Sequence, residues 1–154
     1  MATPKGDSEA SSKRQGRLPK WFKTRLPSGE QQAIFNATKT AVKDNKLNTV
    51  CEEARCPNIH DCWASGDATF MIAGQECTRG CRFCAVGTIK RPPALDPEEP
   101  AHLAQAVSSM NLRHAVITVV NRDDLPDSGA DHYKQCIDAV HAHAPEITLE
   151  LLCS

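Results

Sequence analysis

Six of the eight cysteines of this 154-residue chain lie in one short window and form two groups of three. The first group has the spacing C-x4-C-x5-C in CEEARCPNIHDCW, and the second has C-x3-C-x2-C in ECTRGCRFC. A cubane iron–sulfur cluster takes one outside ligand on each of its four irons, so three thiolates leave one iron open to another ligand. The spacing therefore indicates two thiolate sites, each one ligand short: Cys51, Cys56 and Cys62 in the first group, and Cys77, Cys81 and Cys84 in the second.

Three features of the sequence argue against other roles for these cysteines. Disulfide frameworks are typical of small secreted domains, and the polar first twenty residues contain no apolar core of an export signal. Structural zinc modules usually show paired C-x2-C knuckles, of which this sequence has one. Ferredoxins complete four cysteines for each cluster, and neither group does so. We favour cluster ligation and keep a structural zinc-binding module and a ferredoxin-like electron carrier as the alternatives.

Charge and hydropathy exclude several classes of partner. The formal net charge of −1 gives no electrostatic reason to expect nucleic acid or an anionic membrane surface. No apolar run approaches the roughly 20 residues that a transmembrane helix needs. Residues 1–18 are polar, and Asp7 and Glu9 argue against a mitochondrial targeting segment. We expect a disordered arm over 1–18 and a cytoplasmic protein.

The elements that must position the cysteines alternate along the chain. Apolar runs predict buried strands over 68–74, 114–120 and 147–152, and helical periodicity predicts helices from near Pro100 and over 130–143. Strand, helix, strand, helix, strand is the pattern of parallel βα units with right-handed crossovers, so we expect an α/β fold. In such folds ligands gather at the C-terminal ends of the strands, where the second cysteine group lies.

The segment before these strands is predicted to contain one helix and then a loop. Ser28 begins a capping-box pattern, and an apolar face that includes Ile34 predicts a helix to about Asn45. The first cysteine group follows in a stretch that Pro57 interrupts and that shows no clear periodicity. We therefore expect a loop-rich region around these three cysteines.

Several other residues are candidates for contact with a cofactor or substrate. Arg122, Asp123 and Asp124 follow the second strand, although Asp is also favoured as a cap of the next helix, and both interpretations stay open. Phe83, next to the last ligand cysteine, is expected to shield a cluster from water. Cys136 lies on the apolar face of a helix and is expected to be buried as a small hydrophobe.

The sequences around both cysteine groups resemble a known enzyme family. CTRGCRFC after a strand is similar to the signature of the radical S-adenosylmethionine enzymes, and TVCEEARCPNIHDCW resembles the auxiliary-cluster motif of the lipoyl synthases. ATFMIAG, LDPEEP and RDDLPDSGA are similar to that family in the same order. The resemblance extends from about Pro19 to the end of the chain and corresponds to the N-terminal half of a lipoyl synthase.

This resemblance implies a fold and a set of cofactors. The fold is a partial (β/α) TIM-type barrel, with its first three βα units over 68–154 and an N-terminal cluster-binding extension over 19–67. The cofactors are two 4Fe–4S clusters and S-adenosyl-L-methionine. The second cysteine group matches the ligands of the cluster that binds S-adenosylmethionine, and Arg122, Asp123, Asp124 and Phe83 are expected on that side. The first group matches the ligands of an auxiliary cluster that the family uses as its sulfur source.

The resemblance also implies an activity and its partners. Lipoyl synthases insert two sulfur atoms at carbons 6 and 8 of an octanoyl group on a lipoyl carrier domain. The carriers are 2-oxoacid dehydrogenase E2 subunits and the glycine cleavage H protein, and reduced ferredoxin or flavodoxin supplies electrons. The family's Arg-Ser-Ser-Tyr motif, whose serine completes the auxiliary site, is absent from this sequence, so we expect the chain to be inactive by itself. His60 stands where the family usually has Gly and is expected to be a solvated loop residue.

Overall fold

The structure, a computed structural model, describes residues 26–110 and 112–153, so the predicted arm over 1–18 lies outside the described residues. Within these ranges the chain forms five helices and six strands. The helices are α1 (Glu30–Asp44), α2 (Val50–Glu53), α3 (Ile59–Ala64), α4 (Glu99–Ser109) and α5 (Ala130–His143). The strands are β1 (Asn48–Thr49), β2 (Asp67–Ile72), β3 (Glu76–Cys77), β4 (Gly87–Thr88), β5 (His114–Val119) and β6 (Thr148–Leu152).

The predicted α/β alternation is confirmed by the main sheet. Its strand order is β1-β2-β5-β6, and β2, β5 and β6 run parallel with α4 and α5 as the crossover helices. Strand β1, which was not predicted, pairs antiparallel with β2 at one edge. At the other edge β6 is largely exposed, with Leu152 51% accessible. The closure of such a sheet into a partial barrel stays a prediction.

The two faces of the sheet carry cores of different size. Because successive strand residues point to opposite faces, Ala68, Phe70 and Ile72 of β2 pack into the larger core with side chains from α1, α3, α4 and α5. Met71 points the other way and packs with Ala73, Val120 and Cys77 in a smaller core. The second cysteine group is therefore anchored to the smaller core through its first member.

Two local predictions for the N-terminal part are wrong. Helix α1 begins after Gly29, whose φ of 59° is accessible to glycine, and no side chain caps it, so Ser28 is not the cap. Its buried face contains Phe35, whereas Ile34 is 39% exposed, because Phe35 stacks on Trp63 of α3 at a centroid distance of 5.4 Å.

The predicted loop around the first cysteine group is confirmed at Cys56 and wrong at the other two, because Cys51 lies on helix α2 and Cys62 on helix α3. Thr49 caps α2 by accepting the Glu52 N–H at 3.3 Å, and its hydroxyl lies 3.2 Å from the Glu52 carboxylate. The Thr-x-x-Glu pattern that indicates such a cap is present in the sequence and was not recognised. Among the described residues, no helix has both the length and the apolar character needed to cross a membrane.

Candidate metal centre

The second cysteine group lies on a segment whose ends are joined. Cys77 is in β3, which pairs in parallel with β4 so that Cys77 stands opposite Thr88. Cys81 and Cys84 lie on the intervening segment and are exposed, whereas Cys77 is 8% exposed. The Cys84 N–H donates to the Cys81 carbonyl at 3.1 Å, which closes a turn between these two cysteines. Phe83 between them is 94% exposed.

The Cys77 sulfur accepts hydrogen bonds from the backbone. The Asn121 N–H donates to it at a nitrogen–sulfur distance of 3.2 Å, and the Arg79 N–H donates at 3.4 Å. Backbone N–H groups directed at ligand sulfurs are a usual feature of iron–sulfur sites. The donor set therefore fits an iron–sulfur cluster on chemical grounds.

The predicted site residue Asp123 joins the cysteine segment to the loop after β5. Its carboxylate accepts from the Arg79 side chain at 2.6 and 2.9 Å, and its Oδ2 lies 2.7 Å from the Thr78 hydroxyl. Hydrogen bonds from Arg79 and then from Thr78 lower the pKa of Asp123 to about 2. Asp123 is thus ionised at neutral pH and is held beside Cys77.

Arg122 and Asp124 form a second pair on the inner side of the same loop. Arg122 is 2% exposed, and its guanidinium donates to both Asp124 carboxylate oxygens at 2.9 and 2.8 Å. Its Nη1 also donates to the Ala73 carbonyl at 3.3 Å, just after β2. The hydrogen bond from Arg122 lowers the pKa of Asp124. The pair therefore ties the loop after β5 to the end of β2.

The carboxylate at the start of α5 belongs to Asp127 and not to Asp123 or Asp124. Asp127 accepts the Gly129 and Asp131 N–H groups, both at 3.0 Å. The helix-capping interpretation therefore belongs to Asp127. A contact of Arg122, Asp123 or Asp124 with a cofactor or substrate stays a prediction.

The structure places the first cysteine group on α2, α3 and the loop between them, where Cys51 and Cys56 are near enough for their charges to act on Cys62. Cys51 lies on α2, Cys56 follows it, and Cys62 lies on α3. The Cys56 N–H donates to the Cys51 carbonyl at 3.0 Å, so the chain folds back between them. Burial raises the pKa of the Cys62 thiol, and Cys51 and Cys56 raise it further through their negative charges. Such mutual repulsion is relieved when a cation binds the three thiolates.

A cavity of about 390 Å³ lies beside the first group, lined by Cys51, Cys56, Phe35, His60 and Trp63 among others. His60 is on α3 with its ring 4.4 Å from that of Phe35, so its prediction as a solvated loop residue is wrong. Two buried atoms here, His60 Nδ1 and Trp63 Nε1, have no hydrogen-bond partner among the described residues. These two ring nitrogens are therefore available to donate hydrogen bonds to the sulfides of a cluster.

A different set of three side chains is packed more closely. Among the described residues, Glu99, His132 and Cys136 are the three potential ligands whose atoms all lie within 4.8 Å of one another. Glu99 Oε2 lies 2.5 Å from His132 Nε2 and accepts the Ala73 N–H at 2.9 Å. Burial, and then Glu99, raise the pKa of Cys136 to about 12. The predicted burial of Cys136 is confirmed, and the Glu99–His132 pair, which sequence reasoning missed, links α4 to α5.

Comparison with known proteins finds similarity over most of the chain. Residues 2–56 match the family model of the N-terminal domain of lipoyl synthase of the radical SAM family. Residues 71–154 match the family model of the radical SAM superfamily.

Curated relatives extend the similarity through both cysteine groups. The chain is 50% identical over 137 residues to a lipoyl synthase of Chlorobaculum tepidum, which covers 89% of this chain and 46% of the relative. Identity to a lipoyl synthase of Myxococcus xanthus is 52% over 136 residues, covering 88% and 44%. Identity to a mitochondrial lipoyl synthase of Leishmania braziliensis is 48% over 142 residues, covering 88% and 38%.

The chain thus spans less than half the length of these relatives, and its resemblance to their N-terminal half is confirmed. The superfamily match over 71–154 takes in more than half of the 154 residues and includes the second cysteine group. The chain therefore belongs to the radical SAM superfamily.

Proposed function

We propose that this chain carries the cluster-binding part of a lipoyl synthase. The activity is the insertion of two sulfur atoms at carbons 6 and 8 of a protein-bound octanoyl group, in the biosynthesis of the lipoyl cofactor. The observation that supports it best is the presence of two separate cysteine groups within a stretch about 50% identical to lipoyl synthases. The proposed division is an extension over 19–67 and the first part of a partial barrel over 68–154.

The second cysteine group is proposed to hold the 4Fe–4S cluster that binds S-adenosylmethionine. Such a cluster supplies the electron that cleaves the cofactor. Cys77 is anchored in the smaller core. The turn between Cys81 and Cys84 presents two further thiolates at the surface. The Phe83 ring is free to cover a bound group and exclude water from it.

The polar residues after β5 are proposed to line the cofactor or substrate side. Arg79 and Asp123 are about half exposed, with side-chain accessibilities of 48% and 43%, so they border the surface next to the cysteines. Arg122 fixes the backbone beneath them, because its guanidinium contacts both Asp124 and the Ala73 carbonyl.

The first cysteine group is proposed to hold an auxiliary 4Fe–4S cluster that provides sulfur. Cys62 lies on α3, which packs against α1, and the adjacent cavity contributes buried polar atoms from His60 and Trp63.

The proposed partners and location follow from the family. The substrates are octanoylated lipoyl carrier domains of 2-oxoacid dehydrogenase E2 subunits and of the glycine cleavage H protein. Electrons come from reduced ferredoxin or flavodoxin, and the protein is cytoplasmic.

Metal analysis of the chain, reconstituted without oxygen, tests the proposal. Two 4Fe–4S clusters correspond to about eight irons and eight sulfides per chain. Cys81→Ala and Cys56→Ala should each lower the iron content to about four, because each removes a ligand from one group. The matched control is Cys153→Ser, since Cys153 is exposed and belongs to neither group. Stoichiometric zinc without sulfide would refute the proposal and identify a structural zinc module.

A further inference from the structure

We propose that Arg79 and Asp123 form a clasp that holds the Asn121 N–H against the Cys77 sulfur, and that this clasp sets the reduction potential of a cluster at the second cysteine group. The assignment of that cluster rests on the proposed function. The clasp itself consists of hydrogen bonds between two loops, and the residues that these bonds join are 44 positions apart in the chain.

The clasp joins these loops through both side chain and backbone. Asp123 accepts two hydrogen bonds from the Arg79 side chain, at 2.6 and 2.9 Å. The neighbouring Thr78 also contacts Asp123. Its hydroxyl oxygen accepts the Asp123 N–H at 3.1 Å and lies 2.7 Å from Asp123 Oδ2. Since Thr78 and Arg79 follow Cys77 directly, the clasp fixes the loop after β5 relative to that cysteine.

Asn121 is held from two sides as a result. Its carbonyl accepts the Thr78 N–H at 3.0 Å and lies 2.9 Å from the Thr78 hydroxyl. Its own N–H donates to the Cys77 sulfur at 3.2 Å. The contact between the Asn121 nitrogen and the Cys77 sulfur therefore depends on how the two loops are aligned. The Arg79–Asp123 pair holds that alignment on the solvent side of the contact.

This hydrogen bond bears on redox chemistry because reduction adds negative charge to the cluster and its thiolates. An N–H group directed at a ligand sulfur stabilises that charge and raises the reduction potential. An exposed ion pair such as Arg79–Asp123 contributes little to global stability. The effect of breaking it should thus be local to the Cys77 sulfur.

The substitution Asp123→Ala separates this role from simple electrostatics. Removing a carboxylate near a cluster raises its potential if charge alone matters, because the reduced state is then less repelled. Loss of the clasp lowers the potential, because Asn121 no longer donates reliably to the sulfur. The two explanations therefore predict opposite signs. Asp138→Ala is the matched control, since Asp138 is an exposed partner of Lys134 on α5.

The test measures amide exchange and potential in the same variants. Hydrogen-exchange mass spectrometry follows the peptide containing Asn121 in the purified chain, and a redox titration monitored by electron paramagnetic resonance follows the second cluster on a Cys56→Ala background. For Asp123→Ala we expect about tenfold faster exchange at Asn121. We also expect a tenfold less favourable reduction, which is a decrease of about 59 mV for one electron. Asp138→Ala should change neither value.

Each outcome bears on one part of the inference. Unchanged exchange at Asn121 in Asp123→Ala would overturn the clasp. Faster exchange with an unchanged or higher potential would overturn its influence on the cluster. A wild-type chain that binds no iron would refute the proposed function and the redox role together, whereas faster exchange at Asn121 in metal-free Asp123→Ala than in metal-free wild type would still establish the clasp.

Discussion

Replacement of Trp63 by alanine tests how the helix that carries Cys62 is held in place. The Trp63 side chain is 1% exposed, and its ring stacks on Phe35 with a centroid distance of 5.4 Å. Helix α3 has only six residues, which is too short for an isolated helix to be stable in water. We therefore expect Trp63→Ala to detach α3 from the core and to displace Cys62 with it.

The size of the effect follows from the buried area. A buried aromatic side chain removes about 150–250 Å² from water, which at about 25 cal/mol per Å² gives about 4–6 kcal/mol. Alanine retains one methyl group, so the expected loss is about 3–5 kcal/mol, in the range measured for such truncations. Trp63→Phe should change stability by about 1 kcal/mol or less, because the smaller ring loses contacts while the unpartnered Nε1 is also removed.

Urea unfolding followed by far-ultraviolet circular dichroism measures these differences in the free energy of unfolding. Leu26→Ala is the control, since Leu26 is 75% exposed and its truncation should cost about 0.5 kcal/mol or less. The iron content of the same variants reports whether the first cysteine group is still assembled. A loss below about 1 kcal/mol for Trp63→Ala, or equal losses for Trp63→Ala and Trp63→Phe, would refute the packing role given to this side chain.

Two further predictions concern the loop after β5. Hydrogen bonds from Arg79 lower the pKa of Asp123 to about 2 in the folded chain. The Asp123 carboxylate therefore stabilises the fold above its unfolded pKa of about 4, and this stabilisation is lost as the pH falls from about 4 towards 2. The difference in unfolding free energy between wild type and Asp123→Asn should accordingly be small, sensitive to salt and largely lost by about pH 2. Gly129→Ala should destabilise by about 1–3 kcal/mol, because Gly129 has φ +87° and an added Cβ would lie 2.9 Å from the Tyr133 ring. Gly87→Ala, where the nearest atom would be 4.0 Å away, is its control in the same unfolding assay.

The regular part of the fold could be predicted because its sequence signals are long. Helix α5 has the predicted bounds, Ala130–His143, since its 14 residues contain several turns of one apolar face. Helices α2 and α3 have four and six residues, less than two turns each, so no periodic face could appear. The capping signal from Thr49 was the one local feature that indicated α2.

The candidate ligands could be named from the sequence, whereas the residues that support them could not. Cysteine spacing is visible along the chain, so both groups were identified from it. The Arg79–Asp123 pair joins residues 44 positions apart, and no local pattern specifies which charged side chain will meet which. The same holds for the Glu99–His132 pair, whose members come from different helices. These contacts depend on the registration of strands and helices, which appears only in the folded chain.

The pairing of β3 with β4 has a consequence for how metal is captured. It fixes both ends of the segment 78–86, whose conformational freedom is therefore already restricted before any cluster binds. The turn between Cys81 and Cys84 restricts it again. For the cluster proposed at this group, a segment confined in this way has less conformational entropy to lose on binding than a free loop of the same length. The rate of cluster assembly at this group should then be governed by the supply of iron and sulfide and not by a search of the chain for the bound shape.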